Sequence, residues 1–288
     1  MKKSAFSFIE LAIVLIVTTA LVVGVISAKS MITVARLSKA RSYMADSQIS
    51  SIPCLLAWYE TSSKDSLKES EVIDGANVTE WRDISSSTSI ANLKNLLTTS
   101  GTISYKIKGI NELPALYFDG SSHFSLNNFY QGGYSQYTAI VVFKPTATVD
   151  STAQTLLDSS PSSSSSSIAI KNDSINLNAG FNVDTSTATN AADIKMGGSY
   201  IMVTYLDNTN SKVYLNDNAT PVGNAVVTTG SNSMHGLTIG ASTSLNNGFT
   251  GLISEIILFS CPLKSKERGG VMQYLSNKYA IRVIGLNN

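Results

Sequence analysis

Charge is what this chain has least of. Asp, Glu, Lys and Arg make up 14% of its 288 residues, against roughly 25% in an average soluble protein. The balance is a net +1, so no global field draws in nucleic acid or an anionic membrane surface, and no nucleic-acid partner is expected. Cysteine is almost absent. Cys54 and Cys261 are too few for a disulfide framework, and neither sits in a CxxC pair of the kind used for zinc or redox chemistry. The two histidines, His123 and His235, are far apart and lack HExxH spacing, which reads them as surface or strand-edge residues. No GxSxG stands at a strand-to-helix turn and no GxxxxGK[ST] loop occurs. No metal site and no cofactor are expected.

The missing charge is replaced by small neutral polar residues. The chain holds 44 Ser, 25 Thr and 22 Asn, types that suit turns and exposed strand faces. Apolar residues concentrate instead in one place, LAIVLIVTTALVVGVISA at 11–28, which contains no charge. Its 18 residues approach the ~20 needed to cross a bilayer as a helix. Lys2 and Lys3 precede it, and the positive-inside rule then places the remainder of the chain outside the cytoplasm. A cleaved secretory signal has the same two regions, and Ile26-Ser27-Ala28 is passable as its cleavage site.

Glu10 separates the two readings. A carboxylate at the head of a membrane-spanning run costs about 2.5 to 3.5 kcal/mol at the helix centre and less near its end, and a signal peptide has no need of one. The segment Ser4-Ala5-Phe6-Ser7-Phe8-Ile9-Glu10-Leu11 resembles the amino-terminal signature of type IV pilins and pseudopilins. The resemblance implies cutting by a prepilin peptidase between Ala5 and Phe6, methylation of the new Phe6 amine, and neutralisation of that amine in a neighbouring pilin subunit by Glu10. Ala5 stands where this family usually has Gly, and the mid-helix Pro of major pilins is absent, which leans towards a minor pilin or pseudopilin.

Past Ala28, apolar Met31, Val34, Leu37, Met44 and Ile52 recur at mostly three- and four-residue steps among charged residues, as an amphipathic helix requires. One helix from Phe6 to Ile52, ended by Pro53, is the economical reading. Its basic residues Arg36, Lys39 and Arg41 read as a solvated face, with lipid headgroups or another subunit as alternatives. The expected organisation is a leader at 1–5, a helix at 6–52 and a head at 53–288.

The head reads as all-β. Segments 137–143, 174–181, 200–206, 212–215, 237–240 and 252–259 are β-branched, aromatic and partly alternating, separated by Gly, Asn, Asp and Ser. Such strands argue a sandwich or jelly roll. Val271, Leu275 and Tyr279 share a helical face, so a short helix over 265–281 closes the chain. Pro161 and the six serines 162–167 read as a flexible loop.

An ordered series of segments carries a second resemblance: Ala57-Trp58-Tyr59-Glu60, 77–83 around Trp81, 113–121 around Phe118, 249–255, and 274–279. Together they look like the laminin-G-like branch of concanavalin-A-like jelly rolls. Trp58, Trp81 and Phe118 are expected to fill the core rather than stack on sugar. Jelly-roll glycanases commonly set paired acids on one strand as ExDxxE; that string is absent, and Glu255, with no evident acidic partner, reads as a structural or exposed strand carboxylate. The loop acids Asp119, Asp158, Asp207 and Asp217 have no calcium-loop spacing.

The combined expectation is a pilin-like subunit, not an enzyme, displaying a lectin-like adhesion head that contacts carbohydrate or a surface protein. It sits as a single-pass inner-membrane protein before assembly and in a pilus afterwards. The alternatives are a secretion-system pseudopilin and a membrane-tethered carbohydrate-active enzyme. Cys54 and Cys261, placed where the chain enters and leaves the sandwich in an oxidising compartment, are expected to form a disulfide.

Overall fold

A computed structural model describes residues 8–85, 94–129, 136–148, 152–159, 166–171, 174–179, 194–207, 211–222, 234–242 and 247–286. The expected leader at 1–5, with Ala5, and Phe6 lie outside the described residues. The chain opens with helix α1, Phe8–Ala45. Its first 18 residues, Phe8–Val25, have mean hydropathy 2.6, are long and apolar enough to cross a membrane, and are not buried within the chain. The 38-residue helix is about 57 Å long at ~1.5 Å per residue.

It stops at Ala45, short of the expected Ile52. Asp46 and Ser47 turn the chain instead: the Ser47 N–H and hydroxyl both donate to the Met44 carbonyl, at 3.2 and 2.8 Å, so side-chain competition with the backbone ends the helix before Pro53. The turn, with a short 3-10 segment at Ile49–Ser51, tips Ile49 and Ile52 into the head.

Fourteen described strands follow: β1 Leu55–Glu60, β2 Glu80–Trp81, β3 Leu96–Ser100, β4 Ser104–Ile110, β5 Leu113–Asp119, β6 His123–Leu126, β7 Tyr137–Pro145, β8 Gln154–Asp158, β9 Ser166–Lys171, β10 Ser174–Ala179, β11 Tyr200–Leu206, β12 Lys212–Leu215, β13 Leu237–Ile239 and β14 Thr250–Phe259, with helix α2 at Ser265–Tyr279. They form two antiparallel sheets. The first runs β12-β11-β7-β14-β5-β4, with β1 beside β14 beyond the end of β5; the second runs β10-β9-β8-β13-β6-β3-β2. An apolar N-terminal helix, a two-sheet jelly-roll-like sandwich and a short C-terminal helix are thus the architecture.

Between the sheets lie Tyr59, Trp81, Leu116, Phe118, Phe124, Phe143 and Phe249. Trp81 and Phe118 are core residues as expected, but Trp58 faces the other way, with its sheet neighbours Ile140, Val203 and Ile257, into a second apolar layer. Both helices cover that outer face. Ala40 and the residues beyond it pack from α1, and Val271, Met272, Leu275 and Tyr279 pack from α2. Two basic residues of α1 turn to the head, Arg36 pairing with Glu112 at 3.6 Å and Arg41 donating to the Ser62 carbonyl at 2.7 Å, while the exposed Lys39 lies over the Tyr43 ring of its own helix.

Glu112 sits on the two-residue turn between β4 and β5, where Asn111 and Glu112 both have positive φ (50° and 67°), the backbone a tight hairpin needs. Asn111 donates from that turn to the Tyr279 carbonyl, so one turn touches both helices. Cys54 and Cys261 are bonded, with Cα atoms 6.0 Å apart, and tie the start of β1 to the exit from β14 across 207 residues. Of the expected serine loop, 161–165 lie outside the described residues, and Ser166 and Ser167 begin β9.

Candidate functional site

Helices cover the middle of the first sheet's outer face and leave an open hollow lined by Lys106, Tyr117 and Leu252 at its edge; the outer face of the second sheet carries neither helix. Strand alternation sets what that face carries. Trp81, Leu96, Phe124, Leu237, Ile239, Leu157 and Ile168 point into the core, so their neighbours Glu80, Leu97, Ser125, Thr238, Asp158 and Ser167 point outward. Register makes these six a single transverse row, each directly opposite the next: Glu80 with Leu97, Leu97 with Ser125, Ser125 with Thr238, Thr238 with Asp158, and Asp158 with Ser167. Thr238 and Asp158 are buried, Glu80, Ser125 and Ser167 are half-buried, and Leu97 is exposed.

The open end of the row is therefore Glu80, Leu97 and Ser125. There Asn95 Nδ2 donates to Glu80 Oε1 at 2.8 Å, and Arg82 Nε donates to Glu80 Oε2 at 3.3 Å. Burial raises the Glu80 carboxyl, but the Asn95 hydrogen bond and the Arg82 and Lys68 charges outweigh it and hold the group below its ordinary range. The arrangement fixes planar hydrogen-bonding groups beside the exposed Leu97 side chain. Glu80 and Asp158 are four strands apart, about 19 Å at ~4.8 Å per strand, wider than the 5 to 9.5 Å of a glycosidase acid pair.

The carboxylates that do meet are elsewhere. Glu60 and Glu255 are directly opposite on β1 and β14, a pairing of like charges that destabilises a sheet unless neutralised. Both point away from the sandwich core. In β14 a bulge between Ile253 and Glu255 shifts the alternation and re-aims Glu255 towards α2. Lys278 enters between them and donates to Glu60 Oε2 and Glu255 Oε2, each at 2.8 Å. Glu255 also accepts from Trp58 Nε1 at 2.7 Å, the Tyr274 hydroxyl at 2.9 Å and the Tyr279 hydroxyl at 2.9 Å. All three charged side chains are sealed from solvent. Glu255 thus has the acidic partner that its sequence context did not reveal, and it is not an exposed strand carboxylate. A signal was present: Val271, Tyr274, Leu275, Lys278 and Tyr279 form one helical stripe, and a lysine on an apolar stripe demands a buried counter-charge.

Other expected residues fall as follows. Glu10 lies exposed in the first turn of α1, where the helix dipole favours an acid. His123 is a buried residue of β6 rather than a surface one, and burial lowers its imidazole from the ordinary value. Asp158 is a buried strand residue, not a loop acid, while Asp119 ends β5 and accepts from the Ser121 and Ser122 N–H groups. Among the described residues no three His, Cys, Asp or Glu side chains converge as a metal site.

The family model for the concanavalin A-like lectin/glucanases superfamily matches residues 118–267, just over half the chain. The chain belongs to this superfamily. A comparison with curated proteins returned no match. Among solved structures, the chain is similar to a mutant of Trypanosoma rangeli sialidase displaying trans-sialidase activity, at 14% identity, TM-score 0.51, 86% of this chain and 38% of that one. It is also similar to domain 4 of AbnA, a GH43 extracellular arabinanase from Geobacillus stearothermophilus, in complex with arabinotriose, at 19% identity, TM-score 0.49, 74% of this chain and 96% of that one. The chain spans a little over a third of the sialidase's length, and at these identities the likeness shows the fold.

These findings correct one expectation. The expectation that the chain is not an enzyme does not stand: the superfamily counts glucanases as well as lectins, and a sialidase shares the fold. Membership in this superfamily leaves catalysis open, because catalytic acids need not occupy the ExDxxE string.

Proposed function

We propose that this chain is a membrane-inserted, type IV pilin-like subunit whose lectin-type head binds carbohydrate on the outer face of its second sheet. The observation that carries the reading is the asymmetry of the head: both helices pack on one outer face, and the polar row lies on the other. An assembling or membrane-held helix and a ligand face then do not compete. The helix leaves Ala40, its first buried residue among those whose burial is described, about 22 Å beyond Val25 at ~1.5 Å per residue, which stands the head clear of lipid headgroups.

The amino-terminal pattern supports the assembly half of the proposal. A prepilin peptidase removes 1–5 after Ala5, Phe6 becomes the methylated amino terminus, and Glu10 neutralises that amine in a neighbouring subunit. Glu10→Ala then leaves insertion and head folding intact but removes the chain from sheared surface fibres; normal amounts in those fibres would contradict the role. Neighbouring subunits decide between a pilus and a secretion-system pseudopilus, since both use this helix alike.

The head is tested with the full chain in detergent on a glycan array. Binding to a defined glycan class, weakened at least tenfold by Leu97→Asp with the fold unchanged by circular dichroism, is the expected result. Equal binding by wild type and variant would place the ligand elsewhere. Release of sugar from a bound glycan in the same assay would identify the head as a hydrolase.

A further inference from the structure

The sealed Glu60, Lys278 and Glu255 cluster is arranged for bond formation as well as for ion pairing. Two carboxyl groups and one amine share a site cut off from solvent, where one ammonium balances only one carboxylate and holding any charge is costly. Condensing one carboxyl with the amine converts two ionisable groups into a neutral amide. We propose that Lys278 Nζ and Glu255 Cδ join in an intramolecular isopeptide bond after folding, with Glu60 as the proton acceptor.

Every group the step needs is in place. The nucleophile, Lys278 Nζ, lies 2.8 Å from Glu255 Oε2, and the base, Glu60 Oε2, lies 2.8 Å from the same nitrogen. Trp58 Nε1 at 2.7 Å and the Tyr274 hydroxyl at 2.9 Å donate to Glu255 Oε1, the oxygen that gathers negative charge as the carbon becomes tetrahedral. The Tyr279 hydroxyl donates to Oε2, the departing oxygen, at 2.9 Å. Holding the reactants together in this way replaces the encounter that makes amide condensation slow in solution.

The two acids differ in the required sense. Burial raises both, but for Glu60 the Lys278 charge and hydrogen bonds from Lys278 and Ser62 prevail and lower it, keeping a carboxylate. Glu255 remains raised by burial and by the Glu60 charge, against the pull of Lys278, favouring the neutral acid.

Protons and atoms balance without a co-reactant. Against the pull of burial, both carboxyl groups hold Lys278 as the ammonium, so one proton passes to the Glu60 carboxylate as the amine attacks Cδ of the neutral Glu255 acid. The Cδ–Oε2 bond breaks, and that oxygen leaves as water with the acid's own proton and a second proton passed directly from the nitrogen 2.8 Å away. The products are one amide, one water and a protonated Glu60.

The test is peptide mapping of the full chain purified in detergent, reduced, alkylated and cut with trypsin. The expected product is a branched species in which peptide 213–264 is joined to 269–282, lighter than their sum by one water and uncleaved after Lys278. The branch matters because the Asp74-Gly75 and Asp119-Gly120 steps can also shed water without linking anything. Free 213–264 and 269–278 at full mass would overturn the proposal, as would a branch onto the Glu60 peptide 42–64. Glu60→Gln keeps the shape and removes the base, so it should yield the unlinked peptides; a fully linked variant would contradict the role of Glu60. None of these outcomes depends on what the head binds or on how the amino terminus is processed.

Discussion

Replacing Lys278 with Met removes both the ammonium that sits between Glu60 and Glu255 and the amine that an isopeptide bond needs, and leaves the two carboxyl groups opposite each other beneath α2. Removing one partner from a buried ionic cluster costs about 3 to 5 kcal/mol, so Lys278→Met should lower the denaturation midpoint of the head steeply, whereas the exposed Lys108→Met, which loses only a surface pair with Glu112, should change it little. His123 gives a pH signature. Burial lowers its folded-state pKa below the ordinary value, so the unfolded chain takes up the proton first. Stability contributed by His123 is therefore full above the unfolded pKa near 6.5, falls as pH drops from there towards the lowered folded value, and is flat below it. His123→Gln should flatten that slope in a series of chemical melts. At this scale the sequence was least legible. Glu255 was visible as an odd carboxylate in an apolar strand, but its partner Glu60 is 195 positions away, and the bulge that turns it towards α2 leaves no mark in the alternation.

Elements were more readable, because their periodicities are local. The apolar run, the strand segments at 200–206 and 212–215 and the terminal helix stand where their patterns put them. The end of α1 did not, since Ile49 and Ile52 continue the helical spacing yet are used by the head after Asp46 and Ser47 break the chain. The short strands β2 and β3 carry too few residues to show alternation. Two elements offer direct tests. Ala280, at the end of α2, holds φ at 50°, a conformation glycine adopts freely, and Ala280→Gly should raise stability by about 0.5 to 1 kcal/mol in a urea titration. Cutting the Cys54–Cys261 bridge with a Cys54→Ala, Cys261→Ala pair should cost about 2 to 5 kcal/mol, read as a lower thermal midpoint with the secondary structure retained.

At the scale of the whole molecule, the account rests on a division of labour: a helix whose first 18 residues face outward unburied, two helices on one side of a concanavalin A-like sandwich, and a polar row on the other side. The sandwich was legible because many short alternating segments and buried aromatics constrain one another; the proposed ligand face was not, because which sheet is covered depends on where α1 and α2 dock. The central claim is that the helix is an assembly device kept in the mature protein. Mass spectrometry of the amino-terminal peptide from the native protein tests it most directly. The account predicts a chain that starts at methylated Phe6, lacks the five leader residues and retains 11–28; a chain that starts after Ala28 would contradict it.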